Sequence, residues 1–318
     1  MSKKVLIVGG VAGGASAAAR IRRLDEDAEI IMFEKGPHVS FSNCSLPYHL
    51  SGIVESSEEL VLMSPEIFKN RYNIEARVYQ EVIQINRDKK TITVKDLIAN
   101  KTYEESYDKL VLSPGASPIR PNLKGINHPN VFTVRNVVDI ENIQAYMKQN
   151  RVKDIAVIGG GFIGVEVAEN LKLADYHVTL VEFANQVMAP FDYDMAQILH
   201  KEMVDHGVDL VLDDGLAEIA DGYVITNSGR QIDAQAVVLA IGVRPETNLA
   251  EEAGIEIGET GAIKVDHNYL TSDKDIYAVG DAIEVYHRLL QKQTRLALAG
   301  PAQKTSESSC RPYVWNSE

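Results

Sequence analysis

The chain has 318 residues, of which 45% are apolar and 24% charged, a composition typical of a folded protein with about two domains. Its net charge of −13 argues against a general nucleic-acid or anionic-membrane binder, because phosphate groups attract basic surfaces. Cys44 and Cys310 are too far apart to indicate a disulfide framework, so we expect a reducing, cytoplasmic location. The sequence has no apolar run of about 18 residues, so we predict no membrane span. We also predict no metal site.

The chain begins with the pattern of a nucleotide-binding βαβ unit. Residues 4–8 predict a buried strand, which is followed by a glycine-rich turn and a helix of small residues. Two lysines before this apolar run imitate a signal peptide, but the paired glycines favour a strand, turn and helix. The next strand, residues 29–34, ends in an acid 20 residues beyond Gly14. We therefore predict that Gly9, Gly14 and Glu34 bind a cofactor.

Cys44 follows this unit and has no second cysteine near it. A lone thiol beside a redox cofactor indicates chemistry through a mixed disulfide, persulfide or sulfenate. The alternative is an inert, buried cysteine. Asn43 is placed to orient either the sulfur or the substrate. The first turn itself departs from the usual motif, because Val11 stands where the second glycine is expected.

Residues 72–94 and 107–115 predict short strands with hairpin connections. The later strand 275–279 ends in Gly-Asp, and its Asp281 carboxylate can accept a hydrogen bond from a ribityl hydroxyl. Because this strand would complete the first sheet, the first domain is predicted to be discontinuous. Further candidate cofactor-binding positions are Lys35, Val82, Ser113, Gly115 and Gly242.

A second βαβ unit begins 150 residues after the first, with a strand at residues 154–158. The full motif follows: Gly159 permits the tight turn, Gly161 lets the backbone approach a pyrophosphate, and Gly164 lets the helix pack closely on the strand. Glu182 is placed to accept a hydrogen bond from a ribose 2′-hydroxyl and would repel a 2′-phosphate. NADH is therefore predicted in preference to NADPH.

Two nucleotide sites on one chain suit FAD and NADH together, with hydride passing from nicotinamide to flavin and electrons then passing to the thiol. Glu166 either lines the nicotinamide pocket or is a first-turn acid favoured by the helix dipole.

The chain resembles the flavin-dependent pyridine nucleotide-disulfide oxidoreductases of the single-cysteine branch, over about residues 3–304. The resemblance is carried by GGVAGGASAAARIRRLD, FEKGPHVSFSNCSLPYHLSG, LVLSPGASPIRP, VIGGGFIGVEVAENL, AIGVRPET, IYAVGDAIE and LALAGPAQK. It implies an α/β fold with two Rossmann-like FAD/NAD(P)-binding domains of three-layer ββα architecture. The implied FAD-binding domain comprises residues 1–117 and 245–304, and the NAD-binding domain comprises residues 118–244. Residues 305–318 form a tail outside the family.

The branch contains coenzyme A-disulfide reductases, NADH-dependent persulfide reductases, NADH oxidases and NADH peroxidases. The oxidases and peroxidases carry a histidine where this chain has Ala12, so the resemblance favours the two reductases. In these, the first helix and the cysteine loop contact coenzyme A, and the matching positions here are Ser16, Arg20, Arg23, Ser40 and Asn43. The first three share one helix face, and arginine suits phosphate binding, although a solvated helix face remains the alternative.

We therefore expect FAD-dependent, NADH-driven reduction of a coenzyme A disulfide or persulfide through Cys44. The alternatives are an NADH oxidase or peroxidase, and a non-catalytic FAD/NAD-binding protein. The family is homodimeric through a C-terminal domain that the resemblance does not reach. The final residues, TSESSCRPYVWNSE, have no helical or strand period and predict a loose end. We accordingly expect that this chain lacks the dimerisation domain, is monomeric or poorly assembled, and turns over slowly.

Overall fold

The computed structural model describes the backbone of residues 2–315 and the side chains of residues 2–310. The helices of this part are α1 (Ala12–Leu24), α2 (Leu46–Leu50), α3 (Pro65–Tyr72), α4 (Val137–Asn150), α5 (Phe162–Leu173), α6 (Tyr193–Asp205), α7 (Asn248–Glu252) and α8 (Ala299–Trp315). Within the described residues, none of these helices has both the length and the apolar character needed to cross a bilayer.

The strands of the described part are β1 (Lys4–Val8), β2 (Glu29–Glu34), β3 (Glu75–Val78), β4 (Gln80–Asn86), β5 (Thr91–Asp96), β6 (Lys101–Ser106), β7 (Lys109–Leu112), β8 (Ala116–Pro118), β9 (Val131–Thr133), β10 (Asp154–Ile158), β11 (His177–Val181), β12 (Asp209–Val211), β13 (Leu216–Ala220), β14 (Tyr223–Thr226), β15 (Gln231–Asp233), β16 (Ala236–Leu239), β17 (Val243–Pro245), β18 (Ile263–Lys264), β19 (Ile276–Ala278), β20 (Ile283–His287) and β21 (Lys292–Thr294).

The chain divides into two compact units. The first contains residues 1–42, 61–116 and 245–318, and the second contains residues 43–60 and 117–244. The segment 43–60, which carries the lone exposed thiol, therefore packs within the second unit, although the sequence places it in the first predicted domain.

The first unit is built on a parallel sheet with strand order β19-β7-β1-β2-β3. Alternate residues of β1 face two different cores. Leu6 and Val8 pack towards the antiparallel sheet β4-β5-β6, whereas Val5 and Ile7 pack towards helix α1. Because both faces are covered, β1 is apolar at every position after its first residue. This arrangement is the predicted three-layer ββα architecture, and β19 completes the sheet as the sequence predicts.

The second unit repeats the plan with the parallel order β12-β11-β10-β16-β9. Ala156 and Ile158 of β10 pack against residues of its antiparallel sheet β13-β14-β15. The predicted α/β class with two Rossmann-like domains is confirmed. The edge strand β9 was not predicted, since three residues are too few to show a period.

The prediction of a loose C-terminal end is wrong for residues 305–315, which belong to helix α8; residues 316–318 lie outside the described part. The buried residues of α8 recur at helical spacing but are small or hydroxylic: Ala302, Thr305, Ser306, Ser309 and Cys310. The three hydroxyls donate to carbonyls three or four residues earlier, so their burial leaves no unpaired donor. This small-residue face packs on α1, where the Cys310 thiol lies 3.7 Å from the Ala17 carbonyl oxygen.

Candidate nucleotide and thiol sites

The first glycine-rich turn connects β1 to α1 at the carboxyl edge of the first sheet. Gly9 has φ +93°, and a Cβ there would lie 2.0 Å from the Ser113 carbonyl oxygen. A Cβ on Gly14 would lie 1.8 Å from the Gly9 carbonyl oxygen. Both positions therefore require glycine. A side chain at Gly9 would collide with the backbone after β7, and one at Gly14 would force α1 away from β1.

Glu34 at the end of β2 ties this turn together. One carboxylate oxygen accepts from the Gly10 amide at 2.9 Å, and the other accepts from the Gly36 amide at 2.8 Å. Further along the chain, the Ser40 amide donates to the Gly10 carbonyl oxygen at 2.7 Å. Ser40 adopts φ +49°, a left-handed conformation that is uncommon for serine.

The second glycine-rich turn has the same arrangement of close contacts and hydrogen bonds. A Cβ on Gly164 would lie 1.8 Å from the Gly159 carbonyl oxygen. Glu182 accepts from the amides of Gly160 and Ala184, and the Met188 amide donates to the Gly160 carbonyl oxygen at 2.7 Å. Met188, like Ser40, is left-handed, with φ +52°. Both predicted acids are therefore brought to their turns.

The starts of α1 and α5 are suited to bind the phosphates of a dinucleotide. Among the described side chains, none caps either helix start, and neither first turn contains an acid. By contrast, α3 and α4 are capped by Ser64 and Asn136 and carry acids in their first turns. Uncapped amides at a helix start leave donors and positive dipole for an anion.

Gly161 supports the same conclusion for the second unit. It has φ −79°, and within the described part no atom of a residue beyond its immediate chain neighbours lies within 4 Å of the position that a Cβ would occupy. The backbone there is open to a ligand. The residues present thus fit a pyrophosphate at each turn.

The other predicted cofactor residues of the first unit have different surroundings. The Ser113 hydroxyl lies against α1, 2.4 Å from the Cβ position of Gly13. Gly115 has φ +74°, and Asp281 is half-buried in the short 3₁₀ turn after β19. Lys35 is exposed. The side chain of Val82 is buried in the core between the two sheets, which leaves its backbone for any cofactor contact.

In the second unit, Gly242 has φ +107°, and its carbonyl oxygen accepts from the Ile119 amide at 3.0 Å. Glu166 is the fifth residue of α5 and lies beyond its first turn, so the alternative of a first-turn acid is wrong. Its place in a nicotinamide pocket stays a prediction. Burial and the neighbouring Glu169 raise the pKa of its carboxyl above the usual value.

Cys44 is exposed in a short 3₁₀ turn, Asn43–Ser45, immediately before α2. The Asn43 side-chain amide donates to the Arg135 carbonyl oxygen at 3.1 Å, so this amide anchors the loop that carries the thiol. The same segment is bonded to α5 by Ser51, whose hydroxyl lies 2.7 Å from the Asn170 amide oxygen.

Two of the predicted coenzyme A positions on α1, Arg20 and Arg23, lie near Cys310 of α8. Ser16 and Arg20 are half-buried and Arg23 is exposed. The buried Arg20 Nε has no hydrogen-bond partner among the described atoms. Burial raises the pKa of Cys310 to about 12, although the positive charges of Arg20 and Arg23 act in the opposite direction. Ser40 is buried, and its carbonyl oxygen accepts from the Leu62 amide.

Several structural residues were not predicted. Arg22, between the two candidate arginines, donates to five backbone carbonyl oxygens and closes the loop before β2. Asn170 is buried, and His200 accepts from a backbone amide. For Asn170 and His200, the signal in the sequence is a polar residue within the apolar pattern of a helix. Among the described side chains, no cluster of three or more His, Cys, Asp or Glu could hold a metal ion.

Comparison with known proteins gives matches along nearly the whole chain. The family model for pyridine nucleotide-disulphide oxidoreductases matches residues 3–306. The coenzyme A disulfide reductase of Staphylococcus haemolyticus is 35% identical over 302 residues, which are 95% of this chain and 68% of that protein.

Two solved structures have closely similar folds. The reduced Bacillus anthracis CoADR-RHD is 45% identical with a TM-score of 0.97, over 100% of this chain and 58% of that one. An NAD-dependent persulfide reductase from A. fulgidus is 33% identical with a TM-score of 0.95, over 98% of this chain and 59% of that one. The chain thus spans somewhat less than two thirds of these two solved proteins.

Proposed function

The chain belongs to the pyridine nucleotide-disulphide oxidoreductase family, and on that premise we propose that it reduces a coenzyme A disulfide or persulfide with NADH, using FAD and Cys44. The sequence prediction of this family is confirmed. The names of the relatives from Staphylococcus haemolyticus and A. fulgidus support the two substrate classes.

The observation that carries the proposal is the contrast between the two thiols. Cys44 is exposed, whereas Cys310 is buried with a pKa raised to about 12. Cys310 is bonded to the Ser306 carbonyl oxygen of its own helix at 3.0 Å. Only Cys44 is therefore available for nucleophilic attack, and a reaction through one cysteine must pass through a mixed species with the substrate.

The chemistry balances with one thiol. The Cys44 thiolate attacks one sulfur of a disulfide RSSR, forming a Cys44–SR bond as the RS–SR bond breaks, and the leaving thiolate takes a proton. FAD and NADH, when bound, supply the two electrons that release the second thiol and restore Cys44. The sum is RSSR + NADH + H⁺ → 2 RSH + NAD⁺. With a persulfide RSSH, the products are RSH and H₂S.

The residues of this chain prepare that reaction by position and charge. Asn43 holds the cysteine loop through the Arg135 carbonyl. Arg20 and Arg23 of α1 offer positive charge to substrate phosphates. The carboxylate of Glu182 supports NADH over NADPH, since it would lie against a 2′-phosphate. Ala12 gives the first turn no acid–base group for oxygen or peroxide chemistry.

The test is anaerobic oxidation of NADH in the presence of coenzyme A disulfide, with Cys44→Ser and the matched control Cys310→Ser. We expect activity that is lost in the Cys44 variant and kept in the Cys310 variant. Unchanged disulfide reduction by Cys44→Ser would refute the thiol mechanism. Oxygen consumption without added disulfide would instead identify an oxidase, and absence of a flavin spectrum in the purified protein would refute FAD binding.

A further inference from the structure

His200 lies on α6 in the second unit and is 9% exposed. Its Nε2 accepts a hydrogen bond from the Val187 amide at 3.0 Å. Since the amide is the donor, Nε2 carries no proton, and the ring is neutral with its proton on Nδ1. Burial lowers the pKa of His200 below its usual value, which is consistent with a neutral ring.

Val187 is packed directly behind the second glycine-rich turn. Its Cγ1 lies 2.8 Å from the position that a Cβ on Gly160 would occupy. The next residue, Met188, donates its amide to the Gly160 carbonyl oxygen, while the Gly160 amide donates to Glu182. The turn is therefore held from behind by residues 187–188, and His200 holds those residues in place.

The same brace occurs in the first unit. Val39 Cγ1 lies 2.6 Å from the Cβ position of Gly10, and the Ser40 amide donates to the Gly10 carbonyl oxygen. Two occurrences in one chain indicate that the brace is part of how each turn keeps its shape.

We propose that His200 is a positioning residue for the nucleotide turn of the second unit: its neutral ring holds Val187 against Gly160, and protonation of the ring releases this brace. The inference rests on the proposed binding of NADH at that turn. It goes beyond that proposal by assigning the affinity for NADH to a residue on a different helix.

The charged surroundings of His200 do not provide a competing partner for the proton. The titratable groups on its own helix are exposed: Tyr193, Asp194, Lys201, Glu202, Asp205. Asp192 before α6 and Asp209 of β12, which packs on α6, are also exposed. Glu182, which lies near Gly160 together with Val187, is bonded to two amides. Burial is the cause of the lowered pKa.

The experiment measures the Kd of NADH for the FAD-loaded protein by fluorescence between pH 5.5 and 8. His200→Gln keeps an acceptor near the Nε2 position but cannot be protonated, and His200→Leu removes the acceptor. His206→Gln changes an exposed histidine of the cap of the same helix and serves as the matched control. At pH 7.5 we expect His200→Leu to bind NADH about 3- to 10-fold more weakly, and the other two variants to match the wild type.

The pH profile separates the brace from simple packing. The neutral ring is favoured in the folded state, so its contribution is complete above the usual value of 6.5 and is lost as pH falls towards the lowered pKa. Wild-type affinity should therefore fall as the pH drops from 6.5 towards the lowered pKa of His200, whereas His200→Gln should not share that loss. Identical profiles for these two proteins, or wild-type affinity in His200→Leu at pH 7.5, would overturn the proposal.

Hydrogen exchange at the Val187 amide gives a readout that does not need the nucleotide. Near pH 7.5 we expect a high protection factor at this amide in the wild type and in His200→Gln, and a lower one in His200→Leu. At acidic pH we expect the wild type to be less protected than His200→Gln measured at the same pH. Uniform exchange in all of them would refute the brace. If the wild type shows the expected exchange but binds no NADH, the proposed function fails while the His200–Val187 contact stands.

Discussion

Gly161 and Gly164 lie three residues apart in one turn but have opposite surroundings. A Cβ on Gly164 would lie 1.8 Å from the Gly159 carbonyl oxygen, which is 1.2 Å inside the 3.0 Å limit that real Cβ contacts observe. A Cβ on Gly161 would meet open space among the described atoms, and its φ of −79° suits alanine. The two alanine variants therefore separate the packing role of glycine from its ligand role.

Gly164→Ala must move α5 away from β10. Overpacking of this kind costs about 1–3 kcal/mol or more, and the better helix propensity of alanine returns at most about 1 kcal/mol. We expect a net loss of about 2 kcal/mol, which corresponds to a fall in Tm of about 4–8 °C. Gly161→Ala should cost at most about 1 kcal/mol, because alanine is a poorer residue at a helix start than glycine.

The effects of the two variants on NADH affinity should be the reverse of their effects on stability. The new methyl group of Gly161→Ala would stand where the pyrophosphate approaches, so we expect the Kd of NADH to rise at least about tenfold. Thermal unfolding and NADH titration of both variants provide the measurements. An unchanged Tm in Gly164→Ala would show that the helix is not held against the strand, and wild-type affinity in Gly161→Ala would place the ligand elsewhere.

Three other outcomes are expected. Under native conditions a thiol reagent should modify Cys44 alone, and Cys310 should react only after unfolding, as counted by mass spectrometry. Burial opposes ionisation of Asp275, but hydrogen bonds from two lysines outweigh it and lower its pKa. Asp275→Asn should therefore lose about 1–3 kcal/mol at pH 7, with the difference from wild type shrinking below about pH 4 in denaturant titrations. Asn170→Ala removes the acceptor of Ser51 and should speed proteolysis within residues 43–60; equal cleavage rates would contradict this anchor.

The two βαβ units could be predicted from the sequence because their signals are local. Apolar strands, glycines at fixed spacing and an acid after the second strand all follow from contacts within about 30 residues. The brace behind each turn could not be predicted in this way. It depends on a left-handed conformation at Ser40 and Met188, two residue types that carry no signal for it.

The other differences from the sequence prediction have related causes. Helix α8 was missed because its buried face consists of small and hydroxylic residues, whose hydroxyls are satisfied within the helix. The packing of residues 43–60 was missed because it rests on long-range polar contacts. Ser51 bonds to Asn170, and the Gln144 side chain bonds to the His49 carbonyl oxygen. Such residues cannot be told from solvated polar side chains by pattern alone.

The paired ties of Glu34 and Glu182 constrain how nucleotide preference can change. Each of these carboxylates already accepts from two backbone amides that hold its own turn, in addition to the ribose hydrogen bond that we propose for it. Replacing Glu182 by a residue that can bind a 2′-phosphate would leave the amides of Gly160 and Ala184 without their acceptor. A conversion from NADH to NADPH therefore needs at least two changes, one for the phosphate and one that restores the lost tie. In the first unit, Glu34 keeps its hydrogen bonds to the turn. That turn can therefore serve as the reference for such a redesign.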